Sequence, residues 1–221
     1  MQGNTVSTQV EAKILATNKL IRNTYMLLAM TLVFSAVTAT LSVFLRLPPM
    51  TYLLSLGGAI VLMWFVLPRT ANSTSGIGVV FGITGLLGLG LGPLLSMYLS
   101  LPNGPQIVAT ALGGTGVIFF ALSGYALTTR RNFNFMGGFL ATGFLVVLAA
   151  SLVNIFLGIP AFSLAISATV VMLMSGFLLY ETSQMVHGGQ DNYVLATVGL
   201  YMTIFNLFVS LLHLLGFASN D

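Results

Sequence analysis

Cysteine is absent from the 221 residues, charged residues make up only 5% of them, and there is one tryptophan. Without cysteine there can be no disulfide, thiolate metal site or cysteine nucleophile. The shortage of charge excludes more, because soluble domains carry about 25% charged residues and a water-facing surface cannot be built from so few. What replaces charge is apolar surface: 57% of the chain is hydrophobic and the mean hydropathy is +1.00. The bilayer is the solvent this composition fits. The small net charge of +3 acts through its placement, and nothing points to nucleic acid.

Apolar segments fall at about 24–45, 51–67, 77–100, 107–128, 135–157, 161–183 and 193–217, each near the roughly 20 residues that span a bilayer as a helix. The first is too long for a signal-peptide core of about 7–15 residues. The segments are separated by Leu47-Pro48-Pro49, Pro68 to Ser75, Leu101 to Pro105, Thr129 to Asn134, Gly158-Ile159-Pro160 and His187 to Asn192. These are turn signals, because proline lacks the helix donor and glycine tolerates the left-handed region. The expected architecture is an all-α integral membrane protein with seven transmembrane helices. Residues 1–23 form a cytoplasmic N-terminal tail, 24–217 the membrane domain and 218–221 a short C-terminal tail.

With the N-terminus inside, Lys13, Lys19, Arg22, Arg69, Arg130 and Arg131 all lie on the cytoplasmic side and only Arg46 lies opposite. That is the positive-inside pattern, and seven spans then put the C-terminus outside. The expected location is a bacterial-type inner membrane. Connections this short force neighbouring helices to pack antiparallel. Function must then reside within the bundle or in the tails. Met1 to Asn18 reads as a flexible polar end, and Glu11 to Arg22 can also form an amphipathic surface helix, with Ile14, Leu15, Leu20 and Ile21 among basic residues.

Three features inside the spans carry chemistry. Gly78, Gly82, Gly85, Gly88 and Gly92 recur at steps of four, three, three and four, a stripe that lets helix backbones approach closely in lipid. It permits dimers without demanding them. A dinucleotide loop at Gly76-x-Gly78 is ruled out for want of a preceding strand and a later acidic partner. Thr203, Asn206, Ser210 and His213 form one polar line on an otherwise apolar helix and must face inward. That line is either hydrogen-bonding glue between helices or the lining of a permeation or sensing path. Glu181 is the only carboxylate within or bordering a span. It is either partnered and proton-responsive or a side chain reaching for the interface.

His187 and Asp191 fall in a loop, on the opposite side of the membrane from His213, so the two histidines cannot share a site. No His, Asp or Glu pair has metal-binding helical spacing. Serine-elbow and His-Glu-x-x-His motifs are missing too, and one membrane carboxylate without a second acid or nearby base supplies no catalytic dyad. The chain reads as a non-enzyme without a cofactor.

Arg22-Asn-Thr-Tyr, Gly85-Leu-Leu-Gly-Leu-Gly-Leu-Gly-Pro, Ala111-Leu-Gly-Gly-Thr, Leu127-Thr-Thr-Arg, Tyr180-Glu-Thr-Ser and the closing Asn206-Leu-Phe-Val-Ser-Leu-Leu-x-Leu-Leu-Gly-Phe resemble the Bax inhibitor-1 (TMBIM) family. The resemblance runs from about Lys19 to the end. It implies six helices surrounding a central seventh. It also implies one of two activities: restraint of a membrane-anchored AAA protease of the FtsH type, which would grip the N-terminal tail, or a pH-sensitive calcium leak, with Ca2+ as permeant ion. The family's leak uses paired aspartates in the sixth and seventh helices, like charges whose coupling makes a proton switch. Here those positions fall at Glu181 and Thr203, so the pair is broken. The expectation is therefore a protease modulator first. The alternative is a leak sensed at Glu181 and lined by Thr203, Asn206 and Ser210.

Overall fold

A computed structural model describes the backbone of residues 2–218 and the side chains from Ile14 onward. Seven of its helices are long and apolar enough to cross a membrane: α1 (Gln2–Phe44), α2 (Met50–Thr70), α3 (Ser75–Leu99), α4 (Gly104–Thr129), α5 (Gly137–Leu157), α6 (Pro160–His187) and α7 (Tyr193–Ala218). No strand occurs among the described residues. The chain is a multi-pass membrane protein, and the predicted spans match the helices one for one. Successive helices run antiparallel, so Arg46 lies at one end of the bundle and Arg69, Arg130, Arg131 and His187 at the other.

Helix ends follow local chemistry. At the end of α1, Arg46 takes a left-handed conformation (φ 49°), Leu47 N–H donates to Ser42 O and Arg46 N–H to Val43 O. This is the paired closure that satisfies a helix's last carbonyls, and Pro48 then keeps the helix from resuming. Gly158 and Gly188 end α5 and α6 in the same region, at φ 60° and 78°. Asn192 caps α7, its Oδ1 accepting from Val194 N–H at 2.8 Å and Leu195 N–H at 3.2 Å, and its Nδ2 donates to Ala71 O and Asn72 Oδ1. One side chain thereby starts a helix and ties down the α2–α3 turn.

The expected flexible tail is helical instead, because α1 begins at Gln2. No proline interrupts the chain before Pro48, and extending an existing helix adds a hydrogen bond for each residue fixed, whereas nucleating a new one is costly. The side chains of residues 2–13, on which part of the amphipathic reading rests, lie outside the described residues, as do Met1 and residues 219–221. Within that stretch, Ile14 and Leu15 are exposed while Leu20 and Ile21 pack against the core.

α7 is the most buried helix, packing against α1, α3, α4 and α6. Of the other two helices, α2 packs on α3 and α5 on α6.

The tightest approach is α1 against α3, at the glycine stripe. A Cβ on Gly85 would come within 2.7 Å of Phe34 Cε1; one on Gly88 would strike Thr38 and the Ser35 carbonyl, and one on Gly92 would strike Ser42. Gly82 faces α2 instead, where a Cβ would meet Leu62 Cδ1 at 3.2 Å. Gly78 departs from the expected packing role: it is exposed with nothing within reach of a Cβ, because it precedes the crossing with α1. Gly90, off the stripe, takes the contact with Ser55 of α2, 3.1 Å from where its Cβ would be.

The close approach also mends a break in α3. Pro93 stands inside that helix and has no N–H to offer the carbonyl four residues back, Leu89 O. The Ser42 hydroxyl of α1 donates to Leu89 O at 2.7 Å. In hydrocarbon no water can do this, so the neighbouring helix must. Ser42→Ala should therefore cost roughly 0.6–2 kcal/mol, and most of that cost should vanish in a Pro93→Ala background, where the backbone N–H is restored. A double-mutant cycle on unfolding in detergent reads this directly.

Candidate functional site

The polar line of α7 divides between two places. Thr203 is buried and its hydroxyl donates to Glu181 Oε2 at 3.0 Å. Glu181 is half-buried, and Thr203 is its only hydrogen-bond partner among the described residues. Gly199, one turn before Thr203 on the same face, leaves the room the carboxylate occupies: a Cβ there would lie 2.8 Å from Oε1. The carboxylate is thus held between α6 and α7 by a threonine and a glycine.

Asn206 does not join this pair. Its Nδ2 donates to Met202 O of its own helix at 2.8 Å, and one turn beyond Thr203 the side chain turns into a cavity of about 820 Å³ at the Arg46 end, between α3, α5, α6 and α7. Ser210 and His213 line the same cavity, with Ser167, Asn154 and Ser163 from the facing helices. Asn154 Nδ2 donates to Ser163 Oγ at 2.6 Å across the α5–α6 turn, and the rings of His213 and Tyr98 lie 6.1 Å apart. Among the described residues no carboxylate, lysine or arginine lines it.

Ser167 and Ser210 are 6% and 7% exposed, yet neither hydroxyl bonds to protein among the described residues. Most hydroxyls in these spans bond their own helix, as Thr115 does to Ala111 O, Thr142 to Gly138 O and Thr169 to Ala165 O. Buried hydroxyls that forgo this bond are costly unless something else partners them, and both of these line the cavity. Its polar lining stops at Asn206, one turn short of Glu181 and Thr203.

Tyr201 is a linking residue that the polar-line pattern passed over. Buried on α7, it shares a 2.5 Å hydrogen bond with Ser35 of α1, and its hydroxyl lies 3.4 Å from Thr84 O of α3. At the opposite end, His187 is the last residue of α6 rather than a free loop side chain. Its Nε2 lies 3.0 Å from Arg130 O and its Nδ1 3.0 Å from Ser183 O, while Ser183 Oγ accepts from Phe133 N–H at 2.9 Å. The two histidines sit at opposite ends, and no cluster of three metal-ligating side chains occurs among the described residues.

The arrangement is a helical membrane bundle with an acid–hydroxyl pair held between α6 and α7 and a polar pit at the Arg46 end. Over residues 17–220 the chain matches the family described as "Inhibitor of apoptosis-promoting Bax1", and it belongs to that family. It is 50% identical over 215 residues to a protein of Escherichia coli (strain K12) named "Modulator of FtsH protease YccA", covering 97% of each chain. A membrane protein of Vibrio cholerae is 44% identical over 207 residues, 94% of this chain and 93% of its own.

The chain's lack of native cysteine makes the pit testable. Ser210→Cys and Ser167→Cys should react with a membrane-impermeant maleimide added on the Arg46 side, and Thr203→Cys should stay at background. Equal labelling of Thr203→Cys would show an open route past Glu181.

Proposed function

We propose that this protein is a non-enzymatic modulator of an FtsH-type AAA protease in a bacterial inner membrane, with its N-terminus in the cytoplasm. The observation that carries the reading is half identity along nearly the whole of both chains with a protein named as such a modulator. An inner-membrane location is supported by a second relative, "Inner membrane protein YccA" of Escherichia coli O6:H1, at the same identity. The orientation rests on the six-to-one distribution of Lys and Arg.

Helix α1 supplies a means. At 43 residues it is about twice as long as the ~30 Å hydrocarbon layer requires at ~1.5 Å per residue. Its first turns extend beyond the bilayer on the side where a cytoplasmic protease domain would engage a chain end. The cation-leak reading has less to carry it, since the acid pair is reduced to Glu181 and Thr203 and the pit ends short of them. In native membranes, a photo-crosslinker placed near the N-terminus of α1 should recover an FtsH-type protease. Recovery of no protease above an unrelated seven-helix control would overturn the proposal.

A further inference from the structure

A second recess, of about 520 Å³, opens in the half of the bundle nearest Arg46, between α1 and α4 with α3 and α7 as its floor. A volume of that size falls within the range of about 300–1,000 Å³ typical of ligand sites. The rings of Tyr25 and Phe119, with centroids 6.0 Å apart, join α1 to α4 at the inner end. Outward of that contact small residues hollow the wall, Ala36 and Ala39 on α1 and Gly116 on α4. The lining is almost wholly apolar, and the recess is open on one side, where the helices face hydrocarbon.

Water has nothing to bond to along most of this wall, so its natural filling is hydrocarbon. What distinguishes the recess from an ordinary lipid-facing surface is the charge that follows its α1 wall in the chain. Leu32, Ala36, Ala39 and Val43 of α1 line it at three-to-four spacing, together with Ser35 and Thr40, and Arg46 stands three residues after Val43 in the turn that ends the helix. Its N–H donates to Val43 O. Arg46 is exposed and is the only Lys or Arg at this end of the bundle among the described residues. It also occupies a left-handed turn position, φ 49°, that glycine would fill more easily.

We propose that this recess is a specific phospholipid site on Arg46's side of the membrane: one acyl chain lies between α1 and α4, and the lipid phosphate is bound by the Arg46 guanidinium. A planar guanidinium matches phosphate oxygens in geometry and charge, and the acyl chain supplies the apolar remainder.

Gly116 makes the test clean. A Cβ there would meet no atom within 4 Å, so the side chain of Gly116→Leu starts into open space on the wall of the recess. Gly124 is equally open but lies away from the recess, so Gly124→Leu is the control. The full chain is reconstituted in phosphatidylethanolamine vesicles containing phosphatidylglycerol with a photoactivatable diazirine in its acyl chain, and labelled peptides are mapped. The expected label concentrates in residues 32–43 and 108–120. It falls to background in Gly116→Leu, stays unchanged in Gly124→Leu, and drops about fivefold in Arg46→Gln, as for one basic residue near an anionic surface. If Gly116→Leu does not fold, Leu112→Trp, also on the wall, takes its place. Label that is spread evenly over the outer faces of α2 and α5, or that persists in the filled variant, overturns the site. A protein crosslink from the recess that the filled variant removes, with lipid labelling unchanged, would instead assign it to a partner helix and overturns the proposal too.

Discussion

Hydrocarbon offers nothing to a hydrogen-bonding group, and most of this structure follows from that one constraint. Each backbone N–H and C=O in the spans must find its partner inside the protein, which dictates helices. Wherever a helix is broken, something else must supply the missing bond. Pro93 is the sharpest case, since it orphans Leu89 O in mid-span, and the repair by Ser42 works only because glycines at positions 85, 88 and 92 let α1 come close enough. Proline, glycine stripe and serine belong to one solution. At the end of α2 the same need is met by side chains of the helix itself, with Arg69 donating to Phe65 O and Thr70 to Val66 O.

The constraint also separates glue from site. A hydroxyl that bonds its own helix or a neighbour is spent on structure, as with Tyr201, Ser35 and Thr182 around the core. Ser167 and Ser210 are not spent in this way, and both line the same pit. Glu181 lies between these cases: Thr203 satisfies one oxygen, Gly199 makes space for the other, and the pit stops a turn away. The half-buried acid is thus partnered within the bundle, one turn from the polar lining of the cavity.

Much of this was legible in the sequence because the bilayer makes patterns simple. Span length and proline and glycine breaks gave the seven helices and their ends, and Thr203 beside Glu181 was implied by the resemblance to the family, whose paired acids fall at those two positions. Other features depend on partners that no local pattern names. Gly90 and Gly199 matter because Ser55 and Glu181 happen to face them, whereas Gly78 fits the stripe by spacing and touches nothing. Ser167 cannot be told from Thr169 by sequence, although one opens into the pit and the other bonds Ala165 O. The N-terminal segment looked like a tail by polarity alone, yet helix propagation from the first span carries through it.

A protein that modulates a protease by occupying it must slow the destruction of other substrates. The direct measurement is degradation of a second membrane substrate by a purified FtsH-type protease in proteoliposomes, with and without this protein. The account predicts that the substrate's half-life lengthens as this protein is added, and that the effect disappears when the first turns of α1 are removed. Degradation that runs at the same rate with the intact protein in excess would contradict it.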